Sequence, residues 1–309
     1  MLNFTKEDTR GMLSVARAAP LLDETYRAIG QGRVEASSPS MMRVGSTPFR
    51  FGAKGAVLNH LDIAGVRITS RKASRLMLWS LQTGEPVAFF DESEMYRFRT
   101  GVSAAVVAKY LLQDRKLERA AIIGAGAIAQ QIASAIHQTF RPTEIAVSAR
   151  SVASAKRFAA DAAKRGEPVV VAETISEATA NADVIVTITN ANEELVRPEH
   201  VSEGAVVLSM GGGLEVAHGV WASASARYVD DLSYALHQGD AAAWIKEGKF
   251  SQSAFQANLT GTVAELAVGK LEAIKTDSHV MAIVQGTTAL DIALAHSIYL
   301  ARTRVQDNG

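Results

Sequence analysis

The chain has 309 residues, 48% of them hydrophobic, which is enough for two domains or for one domain with a large elaboration. Lysine plus arginine equals aspartate plus glutamate at 32 each, so no net charge attracts nucleic acid or an anionic membrane, and we expect neither as a partner. The lack of cysteine excludes disulfides and thiolate chemistry, and without a secretion signal or a run of about 18 apolar residues we expect a cytoplasmic protein.

The first third of the chain predicts a helix followed by a small sheet. Apolar spacing indicates a helix over residues 15–29, and a connector rich in glycine, serine and proline follows it. Short alternating runs then indicate an antiparallel or mixed sheet with one wetter face. These runs are residues 40–44, 49–51, 65–69, 76–80 and 86–90. An amphipathic helix is predicted over residues 99–112.

A glycine turn in the middle of the chain is the strongest single signal. A short apolar run ends in Gly124-x-Gly126-x-x-Ala129, and helical apolar spacing follows. This pattern predicts a strand, a tight turn and a helix whose bare N-terminus offers backbone N–H groups to a pyrophosphate. Gly124 permits the turn, Gly126 lets the backbone approach the phosphates, and the small Ala129 allows close packing. The predicted phosphate-binding residues are Gly124, Gly126, Ala127 and Ile128.

Strand and helix patterns alternate after this turn. Strands are predicted at residues 144–150, 169–171, 183–189 and 205–209, with helices at about 153–165 and 174–181. This order predicts an α/β fold, a Rossmann-type doubly wound parallel sheet that binds ligands at the carboxyl ends of its strands. The alternative is an α/β domain whose glycines serve packing alone. We expect the Rossmann dinucleotide-binding domain over residues 113–286, and a second, α+β domain over residues 1–112 that a helix at about 287–309 completes.

The second predicted strand of the sheet indicates which dinucleotide binds. It ends Val147-Ser-Ala-Arg-Ser151, with no carboxylate to hold the ribose 2′-hydroxyl of NAD(H). Arg150 with the hydroxyls of Ser148 and Ser151 suits a 2′-phosphate through charge-assisted bonds. The alternative is an ordinary solvated arginine after a strand. We therefore expect NADP(H) to be favoured over NAD(H).

Motifs spread along nearly the whole chain match one known family. They are Arg99-Thr100, the helix end at residues 108–111, the 124–129 fingerprint, and residues 181–189, 210–213, 229–231 and 286–291. With them the chain resembles the ornithine cyclodeaminase/mu-crystallin family. The resemblance implies a Rossmann domain, a substrate and dimerisation domain built largely from the N-terminal half, a cleft between them, and a homodimer. Cyclodeaminases, alanine dehydrogenase-like enzymes, cyclic imine (ketimine) reductases and mu-crystallin are members, so the resemblance does not single out a reaction.

The resemblance also implies substrate-binding residues. The family binds an α-carboxylate with arginine, whose planar fork reaches both oxygens, and by position Arg43 and Arg99 are the candidates. Arg43 lies on a strand-like piece, where a solvated edge arginine is the alternative. Arg99 precedes a predicted helix N-terminus, a poor place for a positive charge unless an anion is near. Asp291 is implied at the substrate too, and a structural cap is its alternative.

Two positions depart from the family pattern. The family commonly has lysine where this chain has Arg67, and arginine polarises a substrate but is a very poor proton donor. We assign Arg67 and Lys54 as the catalytic residues. The alternatives are that Lys72 takes this role, or that Lys54 is only a flexible loop lysine.

The second departure is at Gly213, about where cyclodeaminases carry an aspartate. Glu215 is near, but a turn carboxylate is usually solvated. Both departures count against ornithine cyclodeamination.

The combined pattern favours an NAD(P)H-dependent oxidoreductase of a small α-imino or α-amino acid, such as a ketimine or cyclic imine reductase, with hydride transfer to or from the C=N carbon. The alternatives are an ornithine cyclodeaminase-like ammonia lyase with bound NAD, and a non-catalytic NADPH-binding protein like mu-crystallin. No histidines have metal-ligand spacing, so we expect no metal site. The remaining implied cofactor-binding residues are Thr100, Thr187, Thr189, Met210, Gly286 and Thr287.

Overall fold

The protein comprises two compact units in a computed structural model that describes residues 1–43, 50–70, 73–272, 274 and 278–307. The first unit is Met1–Arg99 together with Thr287–Gly309, and the second is Thr100–Gly286. The change of unit falls inside one helix, Ser93–Leu112. The first unit is therefore discontinuous in sequence.

Strands dominate the first unit, whereas strands and helices alternate in the second. In chain order the strands are β1 Leu2–Phe4, β2 Val34–Ala36, β3 Ser40–Arg43, β4 Arg50–Leu58, β5 Ile63–Thr69, β6 Ser74–Ser80, β7 Pro86–Asp91, β8 Arg119–Ile123, β9 Glu144–Ser148, β10 Val169–Val171, β11 Val184–Thr187, β12 Val206–Ser209, β13 Ala226–Val229, β14 Gly261–Thr262 and β15 Val280–Ile283. The helices are α1 Lys6–Arg10, α2 Val15–Gly30, α3 Ser93–Leu112, α4 Ala127–Phe140, α5 Val152–Lys164, α6 Ile175–Thr179, α7 His218–Ser223, α8 Leu232–Ala235, α9 Gly239–Lys246, α10 Gln252–Ala257, α11 Val263–Ala267 and α12 Thr288–Asp307. Within the described ranges, none of these helices is both long enough and apolar enough to traverse a bilayer.

A mixed sheet covered by helices on one face forms the first unit. Its strand order is β1-β7-β6-β5-β4-β2, with β3 also paired to β4, and β1 runs parallel to β7 whereas the other described pairs are antiparallel. Helix α12 packs on α2 and on β4, β5 and β6. Gly65 in β5 permits this approach, because a Cβ there would lie 2.8 Å from the side chain of Ile292. We call the covered face the inner face and the opposite one the outer face.

A parallel sheet forms the second unit. Its order is β10-β9-β8-β11-β12-β15-β13-β14, and every described pair is parallel. Strands β11, β12 and β15 are buried along their whole length, as expected for strands covered on both faces. The predicted Rossmann-type doubly wound sheet, with a second α+β unit beside it in the chain, is confirmed.

Some elements differ from those that the sequence pattern predicts. The strand predicted at residues 49–51 extends to Leu58, so β4 has nine residues. The glycines and alanines after residue 51 obscure the alternation of apolar and polar side chains that identifies a strand in the sequence. Helix α3 begins at Ser93. The prediction that Arg99 precedes a helix N-terminus is therefore wrong, and this arginine lies inside the helix.

Candidate active site

The glycine turn in the second unit joins β8 to α4. Gly124 has a φ of 129°, and a Cβ there would lie 2.3 Å from the carbonyl oxygen of Ile188, so this position requires glycine. Gly126 precedes α4, no described side chain caps the helix there, and a Cβ at Gly126 would meet no described atom within 4 Å. Gly126 and Ala127 are exposed, so the N-terminus of the helix, with the N–H groups of Ala127 and Ile128, is accessible to a ligand and fits a pyrophosphate.

Two hydroxyls and a cation follow at the end of β9. Ser148 is buried, and its carbonyl oxygen accepts a 2.8 Å hydrogen bond from the N–H of Gly124, which ties the strand end to the glycine turn. Arg150 and Ser151 are exposed. Ser151 precedes α5 without capping it through its side chain. The residues predicted to meet a 2′-phosphate are thus adjacent at the strand end, and two of them present their polar groups to solvent.

Other predicted cofactor residues lie at the ends of β11, β12 and β15. Thr187 and Met210 are buried. The backbone N–H of Thr189 donates to the carboxylate of Glu215. The backbone N–H of Gly286 donates to the buried carboxylate of Asp230 at 2.7 Å. The carboxyl ends of parallel strands are where sheets of this topology bind dinucleotides, so the residues present fit a nicotinamide cofactor.

The loop after β12 has no room for a side chain at Gly213. A Cβ there would lie 2.3 Å from the carbonyl oxygen of Ala191, far inside normal contact distance. The aspartate that cyclodeaminases carry about here cannot be introduced without moving the backbone. This observation adds a steric reason to the chemical one against the cyclodeaminase alternative.

Glu215 in the same loop is fully buried, so the expectation of a solvated turn carboxylate is wrong. Burial raises the pKa of Glu215 to about 7, and burial likewise raises the pKa of Asp240 to about 6. Asp240 accepts hydrogen bonds from the hydroxyl of Ser209 and from the N–H of Glu215, both at 2.6 Å. Two buried carboxylates therefore hold the loop that follows β12.

Replacing Glu215 with glutamine is expected to stabilise the protein by about 2 kcal/mol at about pH 8 and to change little at about pH 4. The folded pKa of about 7 lies above the ordinary 4.5, so the protonated form stabilises the fold at low pH. That contribution is lost as the pH rises through the folded pKa, whereas glutamine stays neutral. Urea unfolding across this pH range measures the effect, with exposed Glu247→Gln as the control; a Glu215→Gln protein less stable at high pH would contradict it.

Five buried charged side chains, which we call the charge cluster, come together in the first unit. Lys54 and Arg67 occupy paired positions of β4 and β5 and are both buried on the inner face, where like charges repel. Glu92 follows β7, Arg99 lies in α3 and Asp291 lies in α12. Lys54 is 7% exposed, Arg67 4%, and the other three at most 1%.

Ion pairs connect the members of the charge cluster. Asp291 accepts two hydrogen bonds from Arg99, at 2.7 Å from Nε and 3.1 Å from Nη2, and its Oδ2 lies 3.8 Å from Nη1 of Arg67. Arg67 donates its Nε–H to Glu92. The ring of Tyr96 has its centroid 4.1 Å from the guanidinium carbon of Arg67 and 5.2 Å from that of Arg99. The ring thus contacts both cations.

These pairs keep Asp291 and both arginines ionised. Burial alone would raise the pKa of Asp291, but Arg99 and Arg67 outweigh burial and lower it. Burial alone would lower the pKa of each arginine, but the neighbouring carboxylates outweigh burial and raise both pKa values. Glu92 differs, because burial raises its pKa despite the opposing effect of Arg67. Neither arginine can therefore release a proton at neutral pH.

The charge cluster contains one more cation than carboxylate. Lys54, Arg67 and Arg99 face two carboxylates. Among the described residues, Arg67 makes one hydrogen bond, through Nε, and its two Nη groups donate none. A ligand carboxylate would balance the charge and accept from these Nη groups.

The other predicted residues of the first unit are less informative. Arg43 ends β3 opposite Arg50, and its side chain lies outside the described part. Lys72 lies outside the described residues. Thr287 and, in the second unit, Thr100 are buried. Among the described residues, no group of histidine, aspartate and glutamate side chains is arranged to hold a metal ion.

Sequence reasoning missed Glu92. The available signal was an acidic pair, Asp91 and Glu92, directly after an apolar strand pattern. Asp91 caps the start of α3, because its carboxylate accepts a hydrogen bond from the N–H of Ser93 at 3.2 Å. The side chain of Glu92 lies in the charge cluster instead, and the local sequence pattern does not indicate which of the two carboxylates is buried there.

Known proteins resemble this chain in sequence and in fold. A model of the ornithine cyclodeaminase/mu-crystallin family matches residues 59–303. The Delta(1)-pyrroline-2-carboxylate reductase of Bacillus cereus is 30% identical over 231 residues, 72% of this chain and 69% of that protein. The structure of the Thermococcus litoralis reductase of the same name, with NADH and L-proline, has a TM-score of 0.90 at 19% identity and covers 99% of this chain and 98% of that one. An archaeal alanine dehydrogenase dimer with bound NAD has a TM-score of 0.89 at 22% identity, with 100% and 97% covered.

Proposed function

The chain belongs to the ornithine cyclodeaminase/mu-crystallin family, and we propose that it is an NAD(P)H-dependent oxidoreductase that reduces the C=N bond of a small α-imino acid. The observation that carries the proposal is the excess positive charge of the charge cluster, which suits one α-carboxylate. The likeness to a pyrroline-2-carboxylate reductase supports a cyclic imino acid as the substrate. Oxidation of the corresponding amino acid is the same reaction in reverse.

Arg67 is the carboxylate-binding residue that we propose in the charge cluster. Its Nη groups make no hydrogen bond within the described part of the chain, and a guanidinium edge matches both oxygens of a carboxylate. Arg99 and Asp291 bind each other, so we assign them to the support of this site rather than to direct contact with the substrate. Arg43 remains a proposed second carboxylate ligand.

Lys54 is the proton donor that we propose. The imine nitrogen must gain a proton when its carbon receives hydride, which the nicotinamide supplies when it is bound. Both arginines hold their protons at neutral pH. Lys54, paired with Arg67 across β4 and β5, carries a transferable proton on the same buried face. The chain thereby positions the substrate through one cation and protonates it through another.

We propose that the second unit prefers NADP(H). The pyrophosphate would bind the N-terminus of α4, and the 2′-phosphate would bind Arg150 with the hydroxyls of Ser148 and Ser151. The support is the exposed cation at the end of β9 and the lack of a carboxylate in residues 148–151.

Arg150→Asp is expected to weaken NADPH binding about tenfold or more and to leave NADH binding within about twofold. The new carboxylate repels a 2′-phosphate but can accept a hydrogen bond from a 2′-hydroxyl. Titration of nicotinamide fluorescence with both cofactors measures the two dissociation constants. Arg157→Asp, on the exposed side of α5, is the control. Equal weakening of both cofactors by Arg150→Asp would contradict the assignment.

Turnover separates the proposed function from its alternatives. The purified protein is incubated with NADPH or NADH and Δ1-pyrroline-2-carboxylate, other preformed cyclic imines, or 2-keto acids with amines. Loss of nicotinamide absorbance supports the reductase. Ammonia release from ornithine without net nicotinamide consumption would establish the cyclodeaminase, and tight cofactor binding with no turnover would establish the non-catalytic alternative.

We also propose that the enzyme is a cytoplasmic homodimer that draws on the diffusible nicotinamide pool. The outer face of the first sheet leaves Met42, Val66 and Ile68 at 49%, 37% and 39% exposure. Beside them lies a groove of about 520 Å³, which Val57 and Trp79 help to line. Val66 lines this groove as well, and exposed apolar surface at a groove is typical of a protein interface. The related alanine dehydrogenase structure is a dimer, which supports a second copy as the occupant.

Val66→Glu is expected to convert the dimer to a monomer, because it places a charge in the centre of the outer face. Leu81→Glu is the matched control: Leu81 is similarly exposed, at 40%, but lies in the turn after β6. Light scattering coupled to size-exclusion chromatography gives the mass of each species. A Val66→Glu protein that remains dimeric would place the interface elsewhere.

A further inference from the structure

Glu92 is a buried carboxylate to which the proposed reaction gives no role. It is 0% exposed, and its Oε1 accepts from both Nε of Arg67 and the hydroxyl of Ser74. Its second oxygen, Oε2, has no partner among the described atoms. A buried carboxyl group with an unsatisfied oxygen is unfavourable for folding. Such a group is retained where it contributes something other than stability.

The position of Glu92 is fixed from two sides. Its backbone N–H donates to the carbonyl oxygen of Ser74 at 3.3 Å, and its carbonyl oxygen accepts from the N–H of Tyr96 at 2.7 Å, in the first turn of α3. Both its side chain and its backbone are therefore bound to the start of β6. Arg67, at the other end of the ion pair, lies in the middle of the same sheet.

The orientation of the Arg67 guanidinium follows from its neighbours. Glu92 takes Nε, the Tyr96 ring lies 4.1 Å from the guanidinium carbon, and Asp291 lies 3.8 Å from Nη1. The two Nη groups are left as the edge that can bind a carboxylate through two parallel hydrogen bonds. A free arginine side chain would have to be ordered at each binding event, which weakens binding.

We propose that Glu92 is a positioning residue that holds the guanidinium of Arg67 with its Nη edge presented to the substrate carboxylate. This inference rests on the proposed function, because it takes Arg67 as the carboxylate-binding residue. Removal of the Glu92 carboxylate makes the cluster more positive, which on electrostatic grounds alone tightens the binding of an anion. Loss of positioning weakens the same binding, so the sign of the effect distinguishes the two roles.

The test measures binding of pyrrole-2-carboxylate, a planar carboxylate analogue of a cyclic imino acid, to the full-length protein loaded with NADPH. Glu92→Ala is expected to weaken binding about tenfold. Glu92→Gln should stay within about threefold of the wild type, because its amide oxygen still accepts from Nε. In an Arg67→Lys background, Glu92→Ala should add less than about twofold, since the group that it positions is gone. Glu94→Ala is the control, because Glu94 lies in α3 but pairs with Arg97 at 3.0 Å.

Tighter or unchanged binding by Glu92→Ala, or an undiminished effect in the Arg67→Lys background, would overturn the inference. If urea unfolding shows that Glu92→Ala is misfolded, Glu92→Asp replaces it: the charge stays, the side chain is shorter, and binding should again weaken. Turnover tests the proposed function separately. A protein that shows the predicted coupling but reduces no imine keeps the positioning role and loses the reductase. A wild-type protein that does not bind the probe overturns the positioning role, whereas turnover alone decides the reductase.

Discussion

Lys54→Met is expected to lower kcat about 10²- to 10⁴-fold, the range associated with the loss of a general acid. The methionine fills a similar volume on the inner face, so the fold and the binding of NADPH should be retained. Neither arginine of the charge cluster can replace Lys54 as the proposed proton donor, because Arg67 and Arg99 hold their protons at neutral pH. Steady-state oxidation of NADPH with a cyclic imino acid measures the change.

Two further variants separate the charge of Lys54 from its proton. Lys54→Arg keeps a cation but cannot release a proton at neutral pH, so kcat should fall nearly as far as in Lys54→Met while KM stays close to the wild-type value. Lys109→Met removes an exposed lysine from α3 and should leave both constants unchanged. A Lys54→Arg enzyme with wild-type kcat would assign Lys54 to charge stabilisation alone.

Asp291→Ala is expected to destabilise the protein by about 3–5 kcal/mol, because it leaves Arg99 buried without its carboxylate. The pKa of Asp291 is lowered in the fold because Arg99 and Arg67 outweigh burial. Its stabilising contribution is therefore present above the ordinary carboxyl pKa and is lost as the pH falls through the folded value. Urea unfolding gives the free energy, with exposed Asp114→Ala as the control.

A double substitution makes this prediction sharper. Replacing a buried ion pair with apolar residues of similar size is often neutral, whereas removing one partner is not. Arg99→Met combined with Asp291→Leu should therefore recover at least half of the stability that Asp291→Ala loses. Activity should not return with stability, because Arg67 loses the carboxylate 3.8 Å from its Nη1. Equal instability of the single and double variants would show that the pair is not the source of the effect.

The Rossmann part of the fold was predictable because its signals are local. A strand, Gly124 and a helix follow one another within a few residues, and the conformation at Gly124 is one that glycine alone adopts easily. Strand β4 was largely missed, because its glycines and alanines have low strand propensity and it forms through pairing with β5 on one side and with β2 and β3 on the other. Tertiary pairing, rather than propensity, makes this segment a strand.

The charge cluster was only partly predictable for the same reason. Lys54, Arg67, Arg99 and Asp291 were each proposed singly, from their residue types and the family resemblance. Nothing in a sequence pattern pairs Arg99 with Asp291 across 192 positions, or turns Glu92 inward towards Arg67. Burial of Glu215 was missed because a carboxylate in a glycine-rich loop is usually solvated, whereas here Asp240 and the loop backbone enclose it.

The discontinuity of the first unit has a consequence for synthesis of the chain. During translation, Lys54, Arg67 and Arg99 leave the ribosome long before Asp291, and the inner face of the sheet lacks α12 until residues 288–307 have been made. Burial of three cations with one carboxylate is costly, so we expect the nascent first unit to have no stable compact form before Asp291 is made. The second unit is complete in sequence before that and can fold while the ribosome is still translating. Synthesis of α12 thus completes the first unit, and a chain that terminates before α12 retains the second unit without a complete charge cluster.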